Sequence, residues 1–357
     1  MWIYIINFIL ILLYGFLIKD KKAYVIFASV QIFLLLALRA PTVGVDLDNY
    51  SGGFSYIAGL DFGDMLSRLN LIKTAQLVHP YSYESGYVVF NWIVGFFGFN
   101  FQGLLIVHAA ICTAVAGHFI YKYSEDPKIS FVLFLSLGFY TYLFGILRQT
   151  LAMTVFLMAI PFIKKRKLIP YLLMCLLAFT IHRVAIIVVP LYFVYNLKIT
   201  KRRYLQIGAL LVAFFAISPL LARYILSPLL RILGKTSYQL QFSLNVYILI
   251  MAAMAALIFC FTSFEEFFMN NPDNNFLCWA FFLAIAIEIL GCYNDVIARA
   301  MYIPYIAVIA LIPNVLNRYR HSGISTMGRI LLVGLAFVFM IIQLNGSKLD
   351  PYVICFA

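Results

Sequence analysis

Long apolar blocks, rather than alternating positions, organise this chain. Blocks of about 15 to 20 residues recur along its whole length, each bounded by a few polar positions. That is the length of an α-helix crossing a roughly 30 Å hydrocarbon layer. The strands of a membrane barrel would instead alternate apolar and polar residues over about ten positions. The pattern predicts spans at 2–18, 23–38, 86–98, 102–121, 129–145, 149–163, 168–181, 184–197, 204–219, 244–262, 276–292, 296–316 and 329–345. The expected fold is all-α: a polytopic transmembrane helical bundle of about 12 to 13 apolar segments, forming a single integral membrane domain over 1–357. The first 18 residues carry no positive leading region and no small-residue cleavage site, so they read as a retained span rather than a signal peptide. The longest polar segment, 39–85, is rich in Gly and Asp and reads as a long extracytoplasmic loop. Loops of that length are usually functional.

Composition fixes the solvent. The chain is 64% hydrophobic and only 11% charged, with mean hydropathy +0.97, against roughly 25% charged in soluble domains. Its net charge is +12. Much of it lies in "KDKK" (19–22), "KKRK" (164–167), "KITKRR" (198–203) and "NRYRH" (317–321), which read as cytoplasmic anchors. Nothing in the pattern points to nucleic acid. The six cysteines show no metal-ligand spacing, so neither metal nor cofactor is expected. Cys292 and Cys355 can both face outside, which would allow a disulfide.

Arg39, Arg148, Arg183, Arg223, Arg231 and Arg299 fall outside the anchoring tracts. Arg148 interrupts an apolar run from Ile129 to Ile163. A central arginine in a span costs about 2.5–3.5 kcal/mol on insertion scales, so one that persists normally has a partner or ligand. Parity raises the same question. An even number of crossings must separate "KDKK" from "KKRK", yet five apolar segments lie between them. Either 129–163 is one crossing broken by a re-entrant hairpin near Arg148, or 86–121 is something other than two full spans; the first is favoured here. Irregular backbone at that depth requires cover by protein or a water-filled cavity.

The alternation then places one polar set at the outer surface: Arg39, Asp46, Asp48, Glu84, Arg148, Gln149, His182, Arg183, Glu288, Asn294, Asp295 and Arg299. Guanidinium forks bind phosphate oxygens bidentately. The set therefore suits a phosphate or diphosphate headgroup, with Arg148, Gln149, Arg183, Arg299, Arg39, Glu288 and Asp295 as substrate contacts. A carboxylate–histidine mixture suits a sugar, with His182, Asp46 or Glu84 available as base. Plainer readings stand beside these: Arg148 pairs with a buried acid such as Glu288, Arg183 and Arg299 snorkel, Asp46 closes a turn. His108 and His118 read as core.

The blocks "LRAPTVGVDLDNY", "YESGY", "ILRQTLAM", "FTIHRVAIIVVPLYF" and "IARAMYIP", in order over about 38–305, resemble the EpsG family of bacterial exopolysaccharide proteins. That family is similar to Wzy-type polysaccharide polymerases and commonly has a small residue after the histidine, where this chain has Arg183. The resemblance implies an enzyme of the bacterial cytoplasmic (inner) membrane. It would join repeat units of an undecaprenyl-diphosphate-linked oligosaccharide at the outer face, surrounded by membrane lipid, with a chain-length regulator protein as candidate partner. Within enzymes the competing reading is an O-antigen-type ligase. Outside them it is a transporter or flippase, which would need a polar path reaching both faces.

Overall fold

The computed structural model describes residues 1–70, 75–76, 82–228, 240–318 and 323–356. Arg231, the middle of the expected outer segment 220–243 and most of "NRYRH" lie outside them. The described chain is almost entirely helical, with one two-stranded hairpin. It divides into two compact units, Met1–Ile186 with His321–Ala357, and Ile187–Arg320.

The first unit opens with α1 (Trp2–Leu17) and α2 (Lys21–Ala37), the latter capped by the Asp20 carboxylate on the Ala23 N–H. The expected loop 39–85 is partly helical: α3 (Leu47–Ala58) and α4 (Phe62–Ser67) lie in it, followed by β1 (Ala75–Gln76) paired antiparallel with β2 (Ser82–Tyr83). Then come α5 (Ser85–Phe96), α6 (Phe101–Tyr123), α7 (Pro127–Ser136), α8 (Phe139–Leu143), α9 (Leu147–Lys164) and α10 (Leu168–Ile181).

Contacts along α6 and α9 show that the two helices run parallel. His108 Nε2 lies 3.2 Å from Leu147 O, Thr154 Oγ1 lies 3.2 Å from Cys112 Sγ, and Lys164 sits over the Tyr123 ring. At that last end Lys21 Nζ donates to Ser124 O, which gathers "KDKK", the end of α6 and "KKRK" into one basic end. At the opposite end Gln102 donates to Ala37 O and Arg39 O. The chain between α6 and α9 must therefore return from one end to the other, and α7 with α8 makes that traverse, bent at Gly138 (φ 89°). So 129–163 is two traverses, not one. The leg that does not cross is α5. Its 12 residues span about 18 Å at 1.5 Å each, and it starts and finishes at the end where α6 begins. This reverses the preference stated above for a re-entrant 129–163.

The second unit contains α11 (Leu191–Val194), α12 (Lys201–Leu221, continued by one wide turn to Leu226), α13 (Val246–Phe261), α14 (Pro272–Gly291), α15 (Asp295–Ala300), α16 (Tyr302–Tyr305) and α17 (Val308–Asn317). α14 is its buried axis, with Pro272 at the first helical position and the Asn271 side chain capping Asp273 and Asn274. The last helix, α18 (Gly323–Asn345), returns to the first unit beside α7.

Among the described residues five helices are long and apolar enough to cross a membrane, and α15–α17, bent by 49°, would make a sixth. In two of the five, α12 and α18, only 11% and 17% of the apolar window is buried by protein. Apolar surface left open on that scale belongs in lipid, and the chain is a multi-pass membrane protein. All six cysteines are free, so Cys292 and Cys355 are not bridged.

Candidate functional site

The break between α8 and α9 at 144–146 is enforced by backbone crowding. A Cβ on Gly44 (φ 140°) would lie 2.1 Å from Phe144 O, and one on Gly145 would lie 2.5 Å from Val45 O. Only glycines let the two strands of chain cross this closely. The break leaves helix-end carbonyls without intrahelical partners, and Arg39 takes two of them: its Nη2 donates to Leu143 O (3.2 Å) and Phe144 O (3.1 Å), while Nη1 donates to Leu36 O (2.9 Å). Its guanidinium stacks on Phe144 at 4.9 Å. Arg39 is completely buried, so the structure makes it a clamp on the break. It does not present the guanidinium to an outside ligand as the sequence suggests.

Past the break, Arg148 is the second residue of α9. Its Nη1 donates to Glu84 Oε2 at 2.7 Å and its Nε to Tyr50 Oη at 3.4 Å. The guanidinium carbon lies 5.2 Å from the Tyr83 ring centre and 5.9 Å from that of Tyr50, close enough for cation–π attraction. Tyr50 and Tyr83 stack, and Tyr87 meets both edge-on. The Arg148 side chain keeps 26% of its surface exposed, which leaves part of the fork open to a ligand. Gln149, one residue on, is buried.

Glu84 holds the array together. It stands immediately before α5 and is almost fully buried. Oε2 takes Arg148; Oε1 faces His182 Nδ1 at 3.2 Å and the Arg183 N–H at 3.4 Å. Packing brings these together. A Cβ on Gly86 would lie 2.4 Å from Thr180 Oγ1, so the start of α5 lies flush against the end of α10, where His182 is the first residue past the helix. Burial alone would raise the Glu84 carboxyl. The hydrogen bond from His182 and the charge of Arg148 outweigh it and hold the group at about 2, well below the usual carboxylate range. Glu84 is therefore an anion that only accepts; with the proton between them on His182 Nδ1, Nε2 is the ring nitrogen that faces away from Glu84.

Arg148, Glu84, His182 and the Arg183 backbone thus form one array. The acid on Arg148 is Glu84 rather than the Glu288 suggested by sequence. The Arg183 guanidinium has no hydrogen-bond or ion-pair partner among the described residues. Asp46 is exposed and left-handed (φ 62°), caps nothing with its side chain, and follows the Val45 that abuts Gly145. The remaining candidates belong to the second unit. Glu288 is completely buried on α14, and neither carboxylate oxygen has a hydrogen-bond partner among the described residues. Asp295 is exposed in the first turn of α15, which the Asn294 side chain caps, and Arg299 is exposed near its end. Among the described residues no cluster of three or more His, Cys, Asp or Glu could hold a metal ion.

Sequence reasoning missed the tyrosine collar, although Tyr50, Tyr83 and Tyr87 all fall within or beside the blocks "DLDNY" and "YESGY". Tyr83 closes β2 and Tyr87 lies in the first turn of α5, on either side of Glu84 in sequence. His108 is core, as expected; His118 is exposed.

A family model described as the EpsG family matches residues 22–353, nearly the whole chain. No curated protein and no solved structure matches it.

Proposed function

The chain belongs to the EpsG family, whose members are polymerase-like proteins of polysaccharide biosynthesis, and on that premise we propose that it joins glycan repeat units carried on undecaprenyl diphosphate at the outer face of the bacterial cytoplasmic membrane. The observation that carries this reading is the Glu84 carboxylate bridging Arg148 to His182. It couples a cation suited to a diphosphate leaving group to a base suited to a sugar hydroxyl.

The geometry supports the following roles. His182 Nε2 takes the proton of the acceptor hydroxyl at the non-reducing end of the incoming unit. The oxygen forms a bond to the anomeric carbon of the growing chain. The bond from that carbon to the diphosphate oxygen breaks, and its electron pair leaves on the lipid diphosphate. Arg148 meets the charge that develops there, an interaction stronger in the transition state than before it. Glu84, held near 2, is too weak a base for the hydroxyl and serves to orient His182 and Arg148. Arg183 adds a second cation beside the histidine. The tyrosine collar fixes the guanidinium plane.

Deleting the gene and resolving the lipid-linked glycans by gel tests the reaction. Single lipid-linked units exposed at the outer face are expected to accumulate. Finished polymer stranded on lipid would indicate a ligase, and units retained at the inner face a transporter.

A further inference from the structure

At the basic end of the first unit, α2 and α6 enclose an open trough of about 490 Å³, within the range of small-molecule sites. From α2 it is lined at helical spacing by Lys22, Ile26, Val30 and Phe33, and from α6 by Ala110, Ala114, Gly117 and His118, with Tyr121 at the basic end. The helices touch at its floor: a Cβ on Gly117 would lie 2.2 Å from Ser29 Oγ. Small residues on α6 set the depth and branched or aromatic ones on α2 form the opposite wall. The ionisable groups collect at one end. Lys21 is engaged there by Ser124 O and the Tyr121 ring, but Lys22 and His118 are exposed and have no partner among the described residues. No carboxylate lines the trough; nearby, Asp20 caps α2 and Asp126 pairs with Arg329.

We infer that this trough is a binding site for an anionic phospholipid, with an acyl chain along α2 and α6 and the headgroup phosphate on Lys22 and His118. The apolar length of the trough would suit any membrane lipid. The unpaired Lys22 ammonium at its end, with the His118 ring as a further hydrogen-bonding group, selects a negative headgroup, and it sits at the level where basic residues meet an anionic leaflet. The positive-inside rule puts that end toward the cytoplasm, so the site is separate from the Arg148 array at the other end of the unit.

Native mass spectrometry of the full-length protein in neutral detergent, titrated with phosphatidylglycerol or phosphatidylcholine, tests this. The wild type is expected to retain phosphatidylglycerol preferentially. Lys22→Gln should weaken that binding about fivefold, the loss corresponding to about 1 kcal/mol per basic residue at an anionic surface, and leave phosphatidylcholine unchanged. Ala114→Phe, which fills the trough, should lower retention of both. Lys165→Gln, in a basic tract that does not line the trough, should change neither. Lys22 is exposed, so its variant folds; an unchanged helical melting curve checks this. Equal retention of the two lipids by wild type, no effect of Lys22→Gln, or an equal loss in Lys165→Gln overturns the site. A dimer abolished by Ala114→Phe would also overturn it, by giving the trough to a second copy of the chain.

Discussion

One carboxylate decides the chemistry at the residue scale. Glu84 is buried between two basic side chains, and its two oxygens are divided between them. In Glu84→Gln the amide can still meet one of them, but the negative charge that orders both is gone. The consequence for pH has a definite sign. A folded carboxyl at about 2 lies below the unfolded value near 4.3. Its contribution to stability is thus fully present above the unfolded value and is lost as pH falls through the folded one. The difference in melting temperature between wild type and Glu84→Gln should be present at about pH 5 and shrink as pH falls toward about 2. A difference that instead grew between those two pH values would mean the carboxyl is not held as an anion. His182→Gln should lower the turnover rate by about 10²–10⁴-fold, the range for a general base, with protein abundance unchanged; near-normal turnover would remove His182 as the base. Both residues were legible as candidates because ionisable groups are rare in so apolar a chain. Their division of labour was not, since it depends on which oxygen faces which partner. Arg39 shows the limit: the same rarity marked it as a ligand contact, while the structure gives its donors to carbonyls freed by a helix break 104 and 105 residues away in sequence.

At the scale of elements, the site exists because α9 starts late and α5 is short. The break at 144–146 exposes the first turn of α9, and Arg39 with the Gly44 and Gly145 crossing stabilises that break. Arg39→Lys cannot span the same carbonyls and should cost about 2–4 kcal/mol, from two buried acceptors left unpaired, read as a lower unfolding midpoint in detergent. Gly86→Leu acts differently. It pushes α5 from Thr180 and parts Glu84 from His182, so activity should fall about 10²-fold, the scale of a 1 Å misplacement, with much less effect on thermal stability. Equal activity in Gly86→Leu would mean the two groups need not be held together. The guanidinium itself marked the break near Arg148, whereas the parity of apolar blocks pointed to the wrong leg: the extra segment is α5, not 129–163. The helices inside 39–85 could not be read in the sequence: α3 begins at a left-handed Asp46 without a side-chain cap and has Gly52 and Gly53 in its interior, features that argue against a helix until Tyr83 packs on Gly53. Nor could the role of α5, whose apolar length matches a span and whose failure to cross follows only from where its two ends lie.

For the whole molecule, apolar composition was enough to assign a helical membrane protein, and the exposed apolar windows of α12 and α18 agree with it. The two-unit division was not visible, because no linker composition marks Ile187. Orientation is checked by cysteine accessibility in whole cells. A cysteine at Ser55, exposed on α3, should react with an impermeant reagent, and one at Lys165 should not; labelling at Lys165 would invert the assignment.

The most direct measurement is a gel of lipid-linked glycans from cells lacking the native gene and expressing Arg148→Ala at wild-type protein level, beside Arg148→Lys. Loss of developing-charge stabilisation should slow chain growth by about 10²–10³-fold, so single repeat units should accumulate in Arg148→Ala, and Arg148→Lys, which keeps the charge but not the fork, should remain impaired. A full polymer ladder from Arg148→Ala would contradict the account.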